Sequence, residues 1–192
     1  NANNISKFMG ILNGTSNFIL TKMTREQTSF EDALDEAQRL GFAEADPTDD
    51  VEGVDAARKV VITSYLSFNQ VIKLNDVKLT GISGTTLSDI NAADQLGFKI
   101  KLIGKGTYEN GYVNASVEPT LIHKNHQLAA VENEYNAIYV IGDAVGDTMF
   151  YGKGAGSLAT GSAVVSDLLN VALFFESNLH TLPPHFELKT EE

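Results

Sequence analysis

An Asn-Gly step between two long stretches of β-forming sequence constrains the fold of this chain more than any other feature. Residues 98–108 and 111–121 are predicted strands, and Glu109-Asn110-Gly111 lies at their junction. The Asn-Gly dipeptide favours the tight turn that joins neighbouring antiparallel strands. Further strands are predicted over residues 135–142 and 148–151, with a turn between them. The second half of the chain is therefore predicted to supply an antiparallel sheet.

Helical spacing of apolar residues marks the rest of the chain. Five helices are predicted, at residues 5–23, 30–40, 51–68, 89–96 and 157–175. Gly10 and Gly14 interrupt the first, whereas Ser29 caps the second and Gly41 ends it. The third is predicted to be central, with one face made of Val54, Ala57, Val61, Ile62 and Tyr65. Helices, then strands, then one last helix predict an α+β domain, with helices packed on one face of a mixed, largely antiparallel sheet.

Composition excludes several functional classes. The 192 residues are 43% hydrophobic, enough for one domain with a substantial core. A formal charge of -11 without a basic stripe argues against nucleic acid and anionic membranes as partners. The lack of cysteine excludes disulfides, thiolate nucleophiles and cysteine-bound metals. Since no apolar run approaches the roughly 20 residues that span a bilayer, we expect a soluble, cytoplasmic protein.

The two ends of the sequence carry expectations about its extent. We expect one domain over residues 1–176 and a tail or linker over residues 177–192, where Pro183-Pro184 lies. The chain opens on Asn1-Ala2-Asn3-Asn4 without an initiator methionine. We therefore expect a piece of a longer protein.

Acidic residues concentrate around the predicted start of the third helix, in residues 41–59. Asp55 and Lys59 are four residues apart and share a helix face, so the lysine can present its ammonium to a substrate oxygen and protonate an alkoxide. The apolar residues that flank them predict that this face is partly buried. The structural alternative is a solvated helix start, where acids interact favourably with the helix dipole and Asp46-Pro47 forms the cap. Spacing alone leaves both interpretations open, and the structural one is the more common.

Three segments resemble the homoserine dehydrogenase family, in that family's order. They are GILNGTSNFIL at residues 10–20, GFAEADPTDDVEGVDAARK at residues 41–59, and the glycine-rich turn and helix at residues 152–169. The resemblance covers most of residues 5–170. It implies the NAD- or NADP-dependent interconversion of L-homoserine and L-aspartate 4-semialdehyde, a step toward threonine and methionine. It also implies a homodimer.

The resemblance assigns roles to named residues. It implies that Glu44 binds the substrate amino group, that Asp55 contacts the substrate and that Lys59 donates the proton. Asp50 matches a further acid of the pocket, and Thr15 lies beside it. An ammonium next to the reacting oxygen suits this chemistry, because the oxygen gains negative charge as the aldehyde is reduced.

The cofactor contacts implied by the family are few in this chain. Gly41 approaches the cofactor and the substrate, and Gly152 and Gly156 touch the nicotinamide end; close helix–sheet packing is the alternative for the latter two. The run Gly152-Lys153-Gly154-Ala155-Gly156 departs from the dinucleotide fingerprint G-x-G-x-x-G. We therefore expect the N-terminal NAD(P)-binding domain to lie outside this sequence, the isolated chain to be inactive, and the choice between NAD and NADP to be made elsewhere.

No metal site is predicted. His123, His126, His180 and His185 do not form a helical metal-binding pair. The resemblance implies that the residues matching the family's sodium ligands would precede Asn1. Two other functions stay open: a lyase in which Lys59 forms a Schiff base with a carbonyl substrate, and a dimerising amino-acid-binding module without catalysis.

Overall fold

The described part of the chain, residues 3–176 of a computed structural model, opens with a strand. The strands are β1 (Ile5–Ile11), β2 (Lys78–Leu79), β3 (Phe98–Glu109), β4 (Tyr112–His123), β5 (Tyr135–Gly142) and β6 (Gly146–Lys153). The helices are α1 (Gly14–Glu26), α2 (Phe30–Arg39), α3 (Thr48–Val51), α4 (Val54–Phe68), α5 (Leu87–Gln95) and α6 (Ser157–Glu176). Two short 3-10 helices lie at Leu74–Asp76 and Gln127–Ala130.

The strands form one six-stranded sheet in the order β2-β4-β3-β1-β5-β6. Strand β2 pairs parallel with β4, and the other neighbours are antiparallel. At the predicted hairpin, Asn110 and Gly111 have φ values of 53° and 85°, as a two-residue turn of type I′ requires. The prediction of a mixed, largely antiparallel sheet is confirmed.

The predicted helix over residues 5–23 is wrong in its first half, which is strand β1 between β3 and β5. At Gly10 a β-carbon would lie 2.7 Å from the carbonyl oxygen of Ala137, so the close approach of β5 requires glycine there. Helix α1 starts only after Asn13, whose extended backbone and side-chain acceptor for the Ser16 amide form an N-cap. The glycines that interrupted the helical pattern therefore mark a strand and a helix start.

The predicted helix over residues 51–68 corresponds to α4, which begins only at Val54, because Val51 is the last residue of α3. Gly53 lies between the two helices with φ +80°, a left-handed conformation that costs other residues energy. The predicted inner face is correct only in part, because Ala57 is buried and Val61 packs against the core but Ile62 lies on the outer side. Ile62 is 59% exposed. The buried residues of α4 are Ala56, Ala57, Val60, Ser64 and Phe68.

The helices α1, α2, α4 and α5 contribute to one hydrophobic core on one face of the sheet, as predicted. This core joins Phe18 and Leu20 of α1 and Val60 of α4 to Phe8 and Leu102 of the sheet. A second, smaller core involves Ile11, Ile103, Ile122 and Tyr139, together with Leu128 and Val131 near the second 3-10 helix. The predicted bounds of α2 and α5 agree with the structure to within two residues.

The structure divides into two compact units after Gly154, and α6 belongs to the second. This helix confirms the prediction over residues 157–175. Its stretch Ser157–Phe175 has a mean hydropathy of 1.6 and could cross a membrane by length and composition alone. The expectation that no apolar run approaches that length is therefore wrong, although core helices of soluble proteins have the same property. The predicted tail at residues 177–192 lies outside the described residues.

Candidate active site

Lys59 and Asp55 meet on the first two turns of α4. The Lys59 ammonium lies 2.7 Å from the Asp55 Oδ2 atom. The same Nζ atom donates a hydrogen bond of 2.9 Å to the carbonyl oxygen of Leu12, at the junction of β1 and α1. In an isolated ion pair on a helix, the lysine contacts only the carboxylate. Here the ammonium also contacts a backbone carbonyl, so it is held between α4 and the junction of β1 and α1.

The side chains of Lys59 and Asp55 are more exposed than the sequence predicts, at 46% and 32%. The apolar neighbours that suggested a partly buried face, such as Ala56 and Val60, point to the core instead. An ion pair this exposed contributes at most about 1 kcal/mol to folding. The pair is therefore accessible to a small ligand and is a minor contributor to stability.

Asn13 joins two of the predicted acids, and sequence reasoning missed it. Its Nδ2 atom donates hydrogen bonds of 2.6 Å to Asp50 Oδ1 and 3.0 Å to Asp55 Oδ2. An asparagine at this place is also a typical helix N-cap, a signal that the predicted long helix over residues 5–23 concealed. The structure thus brings Asp50, Asp55 and Lys59 together around one buried amide.

The segment that carries Gly41 and Glu44 is fastened to the start of α1. The Thr15 hydroxyl donates a 2.6 Å hydrogen bond to the carbonyl oxygen of Phe42. Gly41 has φ +77° just after α2, and the Phe42 amide bonds back to Ala37 at 2.9 Å, which ends that helix as predicted. Glu44 is exposed, and its carboxylate has no hydrogen-bond or ion-pair partner among residues 3–176. It is therefore free to bind a cationic ligand.

Two of the remaining acids of residues 41–59, Asp46 and Asp49, have local partners. Hydrogen bonds from the hydroxyl and the amide of Thr48 lower the pKa of Asp46. The N-cap of α3 is Pro47, one residue later than predicted, and no side chain caps this helix. Asp49 is paired with Arg58. Asp46 and Asp49 are thus bound within the acidic segment, whereas Asp50 and Asp55 converge on Asn13.

The glycine-rich run lies at the end of the edge strand β6 and before α6. Gly152 is in β6, where a β-carbon would meet no atom within 4 Å. Gly156 has φ +112° and its carbonyl oxygen accepts from the Thr160 amide. The two glycines belong to different compact units. Their role in cofactor binding stays a prediction.

The described residues contain no group of three or more His, Cys, Asp or Glu side chains that could hold a metal ion. His123 and His126 each accept a hydrogen bond from a nearby backbone amide. His180 and His185 lie outside the part of the chain that the structure describes.

The fold is that of an α+β domain, and its accessible lysine held beside carboxylates is an arrangement that can transfer a proton. Comparison with known families then specifies the family. The sequence-family model described as homoserine dehydrogenase matches residues 1–169. The chain therefore belongs to the homoserine dehydrogenase family.

Named relatives agree with this assignment. The homoserine dehydrogenase of Bacillus subtilis is 56% identical over 167 residues, which are 87% of this chain and 39% of that protein. A crystal structure of the Staphylococcus aureus enzyme is 89% identical with a TM-score of 0.88, covering 98% of this chain and 47% of that one. A hyperthermophilic archaeal homoserine dehydrogenase is 27% identical with a TM-score of 0.75, covering 89% and 48%. The chain thus spans less than half the length of these relatives.

Proposed function

We propose that this chain is the substrate-binding and proton-transferring part of a homoserine dehydrogenase. The complete enzyme would interconvert L-homoserine and L-aspartate 4-semialdehyde. The observation that carries the proposal is the position of Lys59, whose accessible ammonium is held by Asp55 at 2.7 Å and by the Leu12 carbonyl at 2.9 Å. Membership of the family supports it.

Lys59 is the proton donor in this proposal. It donates a proton to the oxygen that gains negative charge as the aldehyde is reduced, and its neutral amine takes the proton back when the alcohol is oxidised. Asp55 keeps the ammonium in place through both directions. Solvent restores the proton between turnovers, since the lysine side chain is 46% exposed.

Carboxylates bind the other end of the substrate. Glu44, whose side chain has no partner in residues 3–176, pairs with the substrate amino group. Asp50 and Asp55 lie near Lys59 at the reacting end and add negative charge to the proposed pocket, which favours a cationic amino acid over a neutral one. Holding the amine in this way orients the reacting carbon and lowers the entropic cost of the reaction.

A nicotinamide cofactor, NAD or NADP, completes the proposal. Neither Gly41 nor Gly152 obstructs the approach of a flat ring, because a β-carbon at either would meet nothing within 4 Å, as at several other glycines of the chain. The solved archaeal relative is a complex with NADPH. When bound, the nicotinamide supplies or accepts the hydride. The described sheet lacks a βαβ unit with a dinucleotide fingerprint. We therefore propose that the phosphates of the cofactor bind to another part of the whole enzyme.

We also propose a cytoplasmic homodimer. The family resemblance supports the dimer, and the lack of cysteine is in line with a reducing compartment.

A hybrid enzyme tests the proposed function. In it, this chain replaces the stretch that it matches in the Bacillus subtilis relative. We expect the hybrid to reduce NAD⁺ or NADP⁺ in the presence of L-homoserine, and the isolated chain to be inactive. A hybrid that folds and binds the cofactor but does not turn over homoserine would overturn the proposal.

Two further arms separate the alternatives. Borohydride trapping of a covalent adduct between the semialdehyde and Lys59 would indicate the lyase. Calorimetric binding of homoserine by a hybrid without turnover would indicate the binding module.

A further inference from the structure

Asn13 occupies a buried position between the elements that carry the proposed chemistry. It is 5% exposed and caps α1 by accepting a hydrogen bond of 2.8 Å from the Ser16 amide. Its amide nitrogen donates to Asp50 and Asp55. One short side chain thus fixes a helix start and two carboxylates.

The orientation of this amide is set by its neighbours. The Ser16 N–H needs an acceptor, whereas the two carboxylates need donors. Rotating the amide by half a turn would place its oxygen against two carboxylate oxygens and its NH2 group against an N–H. Both N–H groups of Asn13 are therefore committed to Asp50 and Asp55.

Asp55 Oδ2 is the atom that links Asn13 to the lysine. It accepts from Asn13 Nδ2 at 3.0 Å and from Lys59 Nζ at 2.7 Å. The lysine also bonds to the carbonyl of Leu12, the residue that precedes Asn13. Leu12 thus holds the lysine of the ion pair and Asn13 holds its carboxylate.

We infer that Asn13 is a positioning residue, which aims the Lys59 ammonium by fixing the Asp55 carboxylate and by holding the like-charged Asp50 beside it. The inference rests on the proposed function. Without the amide, Asp50 and Asp55 would repel each other with no shared donor, and Asp55 would lose the bond that sets its orientation. The Lys59 ammonium would then keep its charge, but its position would no longer be fixed.

The test uses Asn13→Ser in the full-length hybrid enzyme. Serine keeps an oxygen that can cap α1 but loses the two-pronged donor. Because small misplacements of a reacting group are costly, we expect kcat to fall by about 100-fold while KM for homoserine changes little. Thr86→Ala, which removes the cap of α5, is the matched control for a destabilised helix and should leave kcat unchanged.

A double-mutant cycle with Asp55→Asn separates positioning from a general structural effect. If Asn13 acts through Asp55, adding Asn13→Ser to Asp55→Asn should lower kcat by no more than about twofold. Fully additive losses, or a change confined to KM, would overturn the inference while the wild-type hybrid stays active. An inactive wild-type hybrid would instead overturn the proposed function, and the inference with it.

Discussion

The ammonium of Lys101 lies 2.9 Å from the amide oxygen of Asn17, and the lysine is only 2% exposed. It also donates to the carbonyl oxygen of Val131 at 2.6 Å. The Asn17 amide in turn donates to the carbonyl oxygens of Val131, Asn133 and Tyr135. This buried network ties α1 to the segment that leads into β5. The N-cap of the same helix, Asn13, and its first-turn residue Thr15 belong to the candidate site.

Lys101 predicts a pH dependence of stability. Burial, followed by the charge of Lys99, lowers its pKa to about 7 from 10.5. Between these values the unfolded chain binds more protons than the folded one, so the free energy of unfolding should rise with pH from about 7 to 10.5. Urea unfolding of the chain at a series of pH values measures this rise, and Lys101→Met should flatten it.

The control is Lys124→Met, which removes a lysine with a 40% exposed side chain. It should keep the wild-type pH dependence. An equal flattening in both variants, or none in Lys101→Met, would contradict the assignment to Lys101.

Lys59→Ala tests the proton donor. We expect turnover of the hybrid enzyme to fall by about 100- to 10,000-fold, because a positioned general acid contributes that much. Stability should change by less than about 1 kcal/mol, since the ion pair is half-exposed. Steady-state kinetics and thermal unfolding measure the two effects. The control is Arg58→Ala, which removes the neighbouring exposed cation and should keep turnover near normal. Near-normal turnover in Lys59→Ala would contradict the assignment of Lys59 as the proton donor.

Glu44→Leu tests the acid assigned to the substrate amine. Loss of a hydrogen bond to a charged group should raise KM for homoserine by about tenfold or more. Cofactor affinity and thermal stability should stay close to wild type, because the side chain is exposed and has no partner in residues 3–176. Glu109→Leu in the β3–β4 turn is the matched exposed control. A main effect on cofactor affinity would mean that Glu44 has a different role.

Gly53→Ala tests the break between α3 and α4. A left-handed alanine costs about 1–2 kcal/mol, and its β-carbon would lie 3.0 Å from Val117 Cγ1 and 3.2 Å from Leu79 Cδ1. Gly41→Ala has the same kind of backbone strain, at φ +77°, but meets nothing within 4 Å. Denaturant unfolding should therefore show a larger loss for Gly53→Ala. Equal losses would show that packing at Gly53 contributes nothing.

Sequence reasoning succeeded where a structure depends on neighbours along the chain. The turn at Asn110-Gly111 and the Asp55–Lys59 pair are both local, and both were predicted. Strand β1 was not, because its conformation depends on pairing with β3 and β5, and its apolar residues also fit a helical period. The wrong helix hid Asn13, since a cap is visible only when the helix start is known. The buried amine of Lys101 depends on Asn17 and Val131, which are distant in sequence.

The central place of β1 in the sheet has a consequence for how the protein folds. Met9 of β1 pairs with Lys105 of β3 on one side and with Tyr139 of β5 on the other. The ribosome makes β1 long before β3 or β5. The backbone hydrogen-bonding groups of β1 therefore stay solvated while hairpins such as β3–β4 form locally. Closing such distant pairings is slow. We therefore expect insertion of β1 to limit the rate of folding, and the strand with its exposed edges to be the segment most prone to aggregation during synthesis.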